Sequence, residues 1–236
     1  MRALLLSAGL GTRLRPVTNT IPKCLVPING KPLLEYWLEN LSQAGIEEFL
    51  INTSYLCEQV EEYVEKSIYK DKITLVYEKE LLNTGGTIVQ NSSFFKNQPF
   101  MLVHADNLSF CNFEAFMDTH NNRPKNCELT MMLFHTDTPN SCGIVELDDL
   151  NIVIQFYEKV ENPPSNLANG AVYICEPSVI AFCKSLTKKN IDFSNDVLPN
   201  FMGRINTFLN NTYHRDIGNI ESYALSQIEI LDILKH

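Results

Sequence analysis

The chain has 236 residues, of which 44% are hydrophobic, so it is long enough to bury a large core in a single α/β domain. Its formal net charge of −9 makes it a poor electrostatic match for nucleic acid or an anionic membrane, and we expect neither as a partner. The seven cysteines are scattered and lack a C-x-x-C pair, which argues against a disulfide scaffold or a zinc ribbon and favours reduced thiols in the cytoplasm.

The first half of the chain alternates strand-like and helix-like segments. Residues 3–7 form a continuous apolar run, as expected of a strand that is buried on both faces. Apolar residues recur at helical spacing over residues 32–44, with Pro32 in the first turn and Gly45 as the stop. Further strands are predicted at 48–52, 73–77 and 100–104, and further helices at 58–66, after the Gly85-Gly86 turn as far as 91, and at 113–120.

The second half is richer in strands. They are predicted at 128–135, 143–147, 152–158 and 168–175, before an amphipathic helix at 222–234. We therefore predict an α/β fold: a doubly wound, Rossmann-like mixed sheet with helices on both faces and a β-rich insertion. Ligands of such sheets bind outside the carboxyl ends of the strands, where the loops after the first and fourth predicted strands lie.

The loop after the first strand suits a polyphosphate. Gly9 and Gly11 lack Cβ, so backbone N–H groups can approach phosphate closely, and Arg13 and Lys23 could supply cations. The spacing of a Walker A loop is absent. Leu14 stands where a dinucleotide-binding fingerprint has its third glycine, which argues against a NAD(P)-dependent dehydrogenase. Taken alone, however, a glycine turn with solvated charges nearby would remain the simpler interpretation.

A longer string of residues resembles a known family. G-x-G-T-R-x-R-P-x-T at 9–18, followed by P-K-x-L-x-P at 22–27, resembles the signature of the sugar-1-phosphate nucleotidylyltransferases. The resemblance continues in order through five further segments: 82–87, 104–106, 156–159, 169–173 and 216–218. It implies that the nucleoside monophosphate of an NTP is joined to a sugar 1-phosphate with release of pyrophosphate, so these two substrates are the expected partners.

The resemblance also implies a domain organisation. Residues 1–236 would form one catalytic domain, with a nucleotide-binding part at 1–125 and a sugar-binding part with the C-terminal helix at 126–236. Some relatives carry a left-handed β-helix with acyltransferase activity after this domain. We expect none here.

The family pattern assigns roles to individual residues. Arg13 would hold the β- and γ-phosphates, and Lys23 would neutralise charge at the α-phosphate, which makes them the catalytic pair. The nucleotide would be bound by Leu6, Ala8, Gly9, Gly11, Thr12, Asn83, Gly85 and Gly86. The sugar phosphate would be bound by Gly143, Glu158, Lys159 and Asn169. Cys142 stands where relatives often have an aromatic residue, which leaves the sugar open.

Asp106 and Asp216 are assigned to the metal by the same pattern. Carboxylates favour a hard cation such as Mg²⁺, with Mn²⁺ as the alternative; the simpler interpretation of each aspartate is a helix cap or a turn. Both lie in a His-x-Asp sequence, with His104 and His214. In an extended strand each imidazole would share a face with its aspartate and could admit Mn²⁺, Co²⁺ or Zn²⁺. We favour a structural role for both histidines.

Several alternatives concern the substrates. GTP and a mannose or manno-heptose type of sugar 1-phosphate are favoured, because the chain looks most like the guanylyltransferases of these sugars. Uridylyl, cytidylyl or thymidylyl transfer to another sugar or small phosphorylated acceptor remains an alternative. A regulatory subunit that binds a nucleotide sugar without catalysis is the alternative from another class, although the intact loop and carboxylates argue against it. A homodimer is also left open.

Overall fold

A computed structural model describes residues 1–235 as a mixed α/β fold, which confirms the predicted fold class. Two compact units alternate along the chain: the first contains residues 1–81, 103–111 and those from Thr212 on, and the second contains 82–102 and 112–211. The division of ligand-binding roles at residue 125 stays a prediction. Across residues 1–235, no helix combines the length and apolar character needed to cross a bilayer.

The strands are short and the helices mostly two to four turns long. The strands are β1 (Arg2–Leu6), β2 (Pro27–Ile28), β3 (Lys31–Pro32), β4 (Glu48–Thr53), β5 (Ile73–Tyr77), β6 (Phe100–His104), β7 (Asn107–Phe110), β8 (Leu129–His135), β9 (Gly143–Leu147), β10 (Val153–Glu158), β11 (Leu167–Cys175), β12 (Ile205–Leu209) and β13 (Tyr213–Asp216). The helices are α1 (Leu33–Gln43), α2 (Cys57–Lys66), α3 (Asn83–Gln90), α4 (Phe113–Asn121), α5 (Pro177–Ser185) and α6 (Ile220–Ile233).

The first unit contains a parallel ladder of β1, β4 and β5. Leu4 of β1 lies opposite Leu50 of β4, and Phe49 of β4 lies opposite Ile73 of β5. The predicted apolar run is buried, since Leu4 is 0% exposed. Gly45, which was predicted to stop the first helix, follows α1 with a φ of +88°, a conformation that glycine adopts at little cost. Because all three strands are parallel, their carboxyl ends point the same way and place their loops at one edge of the sheet.

The second unit contains mostly antiparallel strands. β11 pairs antiparallel with β8 and with β9, β9 pairs antiparallel with β10, and β12 runs parallel to β8. The register of β11 against β8 shifts between Asn169 and Tyr173, where Ala171 has a φ of +52°. The four predicted strands of this half are confirmed, whereas α5 and β12 were not predicted.

A buried histidine joins three elements of the second unit. His120 at the end of α4 is 1% exposed; its Nδ1 lies 2.8 Å from Thr130 Oγ1, and its Nε2 lies 3.2 Å from Glu176 Oε1. Arg123 also donates to this carboxylate. Burial, assisted by the positive charge of Arg123, lowers the pKa of His120 from 6.5 to about 4. The imidazole is therefore neutral in the folded chain at neutral pH.

We expect this histidine to make folding sensitive to acid. Unfolding restores its ordinary pKa, so the unfolded chain binds the extra proton first as the pH falls. The stabilisation is complete above the unfolded pKa of 6.5 and is lost as the pH falls towards about 4. Its contribution to the free energy of unfolding should fall by about 1–2 kcal/mol between about pH 7 and pH 5. Urea titrations of the wild type and His120→Gln measure this, and equal pH slopes in the two proteins would contradict it.

Candidate active site

The loop after β1 is held in shape by one glycine and one buried threonine. Gly11 has a φ of +61°, and a Cβ there would lie 3.0 Å from the Thr18 side chain and 3.3 Å from that of Lys23. Thr18 Oγ1 donates a hydrogen bond of 2.7 Å to the Gly11 carbonyl. A Cβ on Gly9, by contrast, would meet nothing within 4 Å. Gly11 is therefore required by the fold of the loop, while Gly9 leaves open space beside the backbone.

Leu14 shows why the dinucleotide fingerprint fails here. Its side chain is 0% exposed and belongs to an apolar cluster with Val26, Ile28 and Leu33. The residues around it turn outward: Thr12 and Arg13 are exposed, and within residues 1–235 the Arg13 guanidinium has no hydrogen bond or ion pair. The burial of Leu14 thus fixes the loop to the core, and the preceding residue, Arg13, exposes its guanidinium to solvent.

A buried polar chain behind this loop was not predicted. The Ser7 backbone N–H donates to Asn52 Oδ1 at 2.8 Å, and Asn52 Nδ2 donates to Glu78 Oε1 at 3.0 Å. Asn52 and Glu78 are both 3% exposed. The chain connects the carboxyl ends of β1, β4 and β5, so it fixes the backbone that leads into the loop. The available signal was a polar residue at the end of each of two predicted apolar strands.

Lys23 lies between the two aspartates assigned to the metal. Its Nζ is 2.8 Å from Asp106 Oδ2 and 3.7 Å from Asp216 Oδ1. The lysine side chain is 7% exposed, whereas the carboxylates are 40% and 49% exposed. The first unit therefore brings together three of the four charged residues assigned to phosphate or metal. The ammonium group of Lys23 is buried, and the two carboxylates remain accessible to a ligand.

Strand pairing explains why two aspartates so far apart in sequence meet. β7 and β13 pair antiparallel, with Asp216 opposite Asn107, the residue that follows Asp106. Gly218 then lets the chain pass close to Asp216, since a Cβ there would lie 2.6 Å from its Oδ2. Trp37 Nε1 donates to the Asn107 carbonyl at 2.7 Å and ties this pair of strands to α1.

The charges of this cluster favour an ionised Asp106. Desolvation by the surrounding protein raises the pKa of its carboxyl group, but Lys23 and His104 outweigh this, and the pKa lies below its ordinary value. Burial lowers the pKa of His214 to about 3, although Asp106 opposes the shift, so this imidazole is neutral. Within residues 1–235, no set of three His, Cys, Asp or Glu side chains is placed to hold a metal ion. Two carboxylates alone suit a hard cation whose remaining ligands are oxygen atoms of water and phosphate.

In the second unit, the two glycines at 85 and 86 lie inside α3 rather than in a turn before it, which corrects the sequence-based expectation. A Cβ on Gly85 would lie 2.5 Å from the Ile191 side chain, and a Cβ on Gly86 would lie 2.6 Å from the Lys189 carbonyl. The Gly85 N–H also donates to the Ile191 carbonyl at 2.9 Å. These glycines are needed for close backbone packing. Asn83, at the start of the helix, is exposed and has a φ of +58°.

Gly143 and Glu158, two of the residues predicted to bind the sugar phosphate, lie opposite each other in the ladder of β9 and β10. A Cβ on Gly143 would lie 2.5 Å from the Phe156 ring and 2.8 Å from Glu158 Oε2, so the carboxylate lies over the glycine backbone. Lys159 has a φ of +51°, and its Nζ lies 3.2 Å from Glu158 Oε1. Lys159 directly follows the end of β10, and its ammonium group lies beside the Glu158 carboxylate.

Asn169 lies on the neighbouring strand β11. Its Nδ2 donates to the Tyr173 hydroxyl at 2.6 Å, and its Oδ1 accepts from the Ala171 N–H at 2.9 Å. Both ends of the amide are thus used in shaping the bulge of β11. The preceding residue, Ala168, lies opposite Ile144, next to Gly143. Asn169 is therefore on the strand beside Gly143, and its role towards a sugar stays a prediction.

Substituting Gly143 should test this part of the site. In Gly143→Ala the new methyl group would displace the Phe156 ring and the Glu158 carboxylate. We therefore expect the free energy of unfolding to fall by about 1–3 kcal/mol. The KM for the sugar 1-phosphate should rise at the same time, and the KM for the NTP should not change. Urea unfolding and steady-state kinetics measure both effects. An unchanged sugar-phosphate KM would contradict the placement of Gly143 at the sugar.

Known proteins are similar to this chain over nearly its whole length. The family model described as nucleotidyl transferase matches residues 2–232. Mannose-1-phosphate guanylyltransferase of Mycobacterium tuberculosis is 30% identical over 234 residues, which cover 97% of this chain and 64% of that protein. D-glycero-alpha-D-manno-heptose 1-phosphate guanylyltransferase of Campylobacter jejuni is 31% identical over 226 residues, which cover 94% of this chain and 97% of that protein.

A solved structure is similar over nearly its whole length. HddC from Yersinia pseudotuberculosis, crystallised in complex with GMP-PN, is 26% identical and superposes with a TM-score of 0.81, covering 97% of this chain and 99% of that chain. The similarity therefore includes both compact units.

Proposed function

The chain belongs to the nucleotidyl transferase family, and from that premise we propose that it transfers GMP from GTP to a mannose or manno-heptose type of sugar 1-phosphate, with release of pyrophosphate. The observation that carries the proposal is the position of Lys23 between Asp106 and Asp216, following a glycine loop of the family signature. A structural ion pair would not need a second carboxylate that is half exposed.

The reaction is an in-line displacement at the α-phosphorus of the NTP. A phosphate oxygen of the sugar 1-phosphate forms the new P–O bond, and the bond from the α-phosphorus to the oxygen that bridges to the β-phosphate breaks. Both reactants are anionic, so positioning and charge neutralisation supply most of the catalysis. Lys23 would neutralise charge that develops at the α-phosphate, and Arg13, exposed and without a partner among residues 1–235, would bind the leaving pyrophosphate.

We propose that Asp106 and Asp216 hold Mg²⁺, with Mn²⁺ as a substitute. When bound, the ion supplies positive charge to the phosphate oxygens. The two carboxylates are the accessible members of the cluster, and oxygen donors of this kind suit a hard cation. Because Lys23 contacts both carboxylates, binding of the ion and the phosphate would exchange partners within this cluster.

The sugar phosphate would be bound in the second unit. Lys159 is 62% exposed and provides the cation for the phosphate, while Glu158 is positioned to accept hydrogen bonds from sugar hydroxyl groups. The Gly143 backbone beneath Glu158 leaves the space for this carboxylate. In the first unit, the nucleotide would lie against the backbone of Leu6, Ala8, Gly9, Gly11 and Thr12. A role of Asn83, Gly85 and Gly86 of the second unit towards the nucleotide is a separate part of the proposal.

The proposal that guanine is the base is supported by relatives of the chain rather than by a particular side chain of the site. The two guanylyltransferases above and the GMP-PN complex of HddC support it. UTP–glucose-1-phosphate uridylyltransferase of Synechocystis is also 30% identical over 213 residues, covering 84% of this chain and 54% of that protein. Uridylyl transfer to glucose 1-phosphate is therefore the second candidate.

A matrix of pyrophosphate release tests the proposal. GTP, ATP, CTP, UTP and dTTP are each assayed with mannose 1-phosphate, manno-heptose 1-phosphates and glucose 1-phosphate in the presence of Mg²⁺, and products are identified by mass. The highest kcat/KM is expected for GTP with a manno-configured sugar. Preference for UTP and glucose 1-phosphate would keep the reaction class and overturn the substrates. Nucleotide-sugar binding without any pyrophosphate release would instead support the non-catalytic alternative.

We also propose a cytoplasmic location. All seven cysteines carry free thiols, and Cys24, Cys127, Cys175 and Cys183 are buried in the core. Free thiols persist in a reducing compartment.

A further inference from the structure

The bulge of β11 contains a strained residue. The register of β11 against β8 shifts between Asn169 and Tyr173, and Ala171, in the middle of this segment, has a φ of +52°. Among residues 1–235, no other residue except glycine has a positive φ inside a strand. The Cβ of alanine disfavours the left-handed region, so the surrounding structure has to hold Ala171 in this conformation.

The side chain of Asn169 supplies this support. Its Oδ1 accepts a hydrogen bond of 2.9 Å from the Ala171 N–H, and its Nδ2 donates one of 2.6 Å to the Tyr173 hydroxyl. An asparagine oxygen that accepts from the N–H two residues later closes a local turn, which favours conformations that the backbone would otherwise avoid. The second bond fixes the amide to a residue that is 1% exposed. Asn169 therefore ties the two ends of the bulge to its strained middle.

The bulge adjoins residues that are proposed to bind the sugar phosphate. Ala168, just before the bulge, lies opposite Ile144, and the neighbouring Gly143 lies opposite Glu158. Burial raises the pKa of the Tyr173 hydroxyl, and the negative charge of Glu158 adds to this shift, so the carboxylate is close enough to act on the hydroxyl. The conformation of the bulge therefore determines where β11 lies beside the Gly143 backbone.

We propose that Asn169 is a positioning residue, which holds Ala171 in the left-handed conformation and thereby places β11 beside Gly143, rather than a ligand of the sugar. Both polar atoms of its amide already have partners within the chain, and these partners account for its orientation without a sugar. The inference rests on the proposed function, because it concerns how the second unit binds the sugar 1-phosphate. Recognition of the sugar hydroxyl groups then falls to Glu158 and to the backbone.

Rescue by glycine tests the positioning role, with pyrophosphate release as the assay. Asn169→Ala should raise the KM for the sugar 1-phosphate about tenfold or more and leave the KM for the NTP unchanged, because the bulge loses its support. Ala171→Gly alone should behave like the wild type. The double variant Asn169→Ala/Ala171→Gly should recover the sugar-phosphate KM to within about threefold of the wild type, because glycine adopts a positive φ without support. A double variant as impaired as Asn169→Ala would show that Asn169 binds the sugar itself.

Melting temperatures separate positioning from a general loss of stability. The double variant still lacks the hydrogen bond to Tyr173, so its melting temperature should stay about 2–4 °C below that of the wild type while its sugar-phosphate KM recovers. Asn112→Ala is the matched control, since Asn112 Oδ1 also accepts a bond of 2.9 Å from a backbone N–H of the second unit, that of Ala115 at the start of α4. It should lower the melting temperature without changing the sugar-phosphate KM. An equal rise of this KM in Asn112→Ala would overturn the proposal.

Amide hydrogen exchange tests the support of Ala171 without turnover. Exchange of the Ala171 N–H should be at least about tenfold faster in Asn169→Ala than in the wild type, because its acceptor is removed. Asn169→Ser is the conservative variant: its hydroxyl can accept from the same N–H, so its exchange rate and its sugar-phosphate KM should lie between those of the other two proteins. A wild type that releases no pyrophosphate with any NTP and sugar 1-phosphate would contradict the proposed function. Equal exchange at Ala171 in Asn169→Ala and the wild type would instead overturn the positioning role.

Discussion

Lys23→Ala is expected to lower kcat by about 10²–10³-fold while the chain remains folded. The Lys23 ammonium is 7% exposed and lies 2.8 Å and 3.7 Å from the carboxylates of Asp106 and Asp216, so no other cation in the described cluster can replace it. A charge placed in advance where negative charge develops contributes more than one that must reorganise. Pyrophosphate release at saturating NTP and sugar 1-phosphate measures the effect.

Lys31→Ala is the matched control for this experiment. The Lys31 Nζ lies 2.6 Å from Glu39 Oε2, and both side chains are about one-third exposed. Lys31 and Glu39 therefore form an ion pair in the same unit, and among residues 1–235 Lys31 has no ion pair with a second carboxylate. Pairs of this kind contribute about 0–1 kcal/mol. We expect turnover close to that of the wild type. If Lys23→Ala were as active as Lys31→Ala, Lys23 would be a structural lysine and the proposed reaction would lose its main support.

The phosphate loop could be predicted because its determinants are local. The left-handed φ of Gly11 and its hydrogen bond with Thr18 arise within seven residues along the chain, whereas the burial of Leu14 also depends on Val26, Ile28 and Leu33. A contiguous string of this kind is visible in the sequence and constrains the backbone by itself. The same holds for α1, where apolar spacing and Gly45 define most of the helix.

The parts of the site that depend on remote contacts could not be predicted in the same way. The spacing of Gly85 and Gly86 indicates a turn, yet their real constraint is the backbone of 189–191, about a hundred residues later. The support of Ser7 by Asn52 likewise depends on which strands are neighbours. In each case the determining partner lies far away in sequence and leaves no local pattern.

The pairing of Asp106 with Asp216 lies between these two cases. The sequence predicts a strand just before Asp106, but the meeting of the two aspartates depends on the antiparallel pairing of β7 with β13. Only the family resemblance connected them beforehand. The structure adds that Lys23 lies between them, a contact that the separate assignment of a phosphate-binding cation and a metal pair did not predict.

Asp106→Asn is the second change for which we expect a large effect. The amide keeps the size of the side chain but removes the charge that attracts both Mg²⁺ and Lys23, so we expect kcat/KM to fall by about 10²-fold or more. The Mg²⁺ concentration for half-maximal activity should rise at least about tenfold. Titration of pyrophosphate release with Mg²⁺ measures both quantities.

A readout that does not require turnover separates loss of the metal from loss of catalysis. If Asp106 binds the ion in the folded chain, Mg²⁺ together with the NTP should raise the melting temperature of the wild type more than that of Asp106→Asn, because a ligand bound only to the folded state stabilises it. Asp71→Asn is the control, since Asp71 is an exposed carboxylate of the same unit, distant in sequence from the cluster. Equal Mg²⁺-dependent shifts in all three proteins would show that Asp106 serves Lys23 alone, and the metal would then have to be bound by other groups.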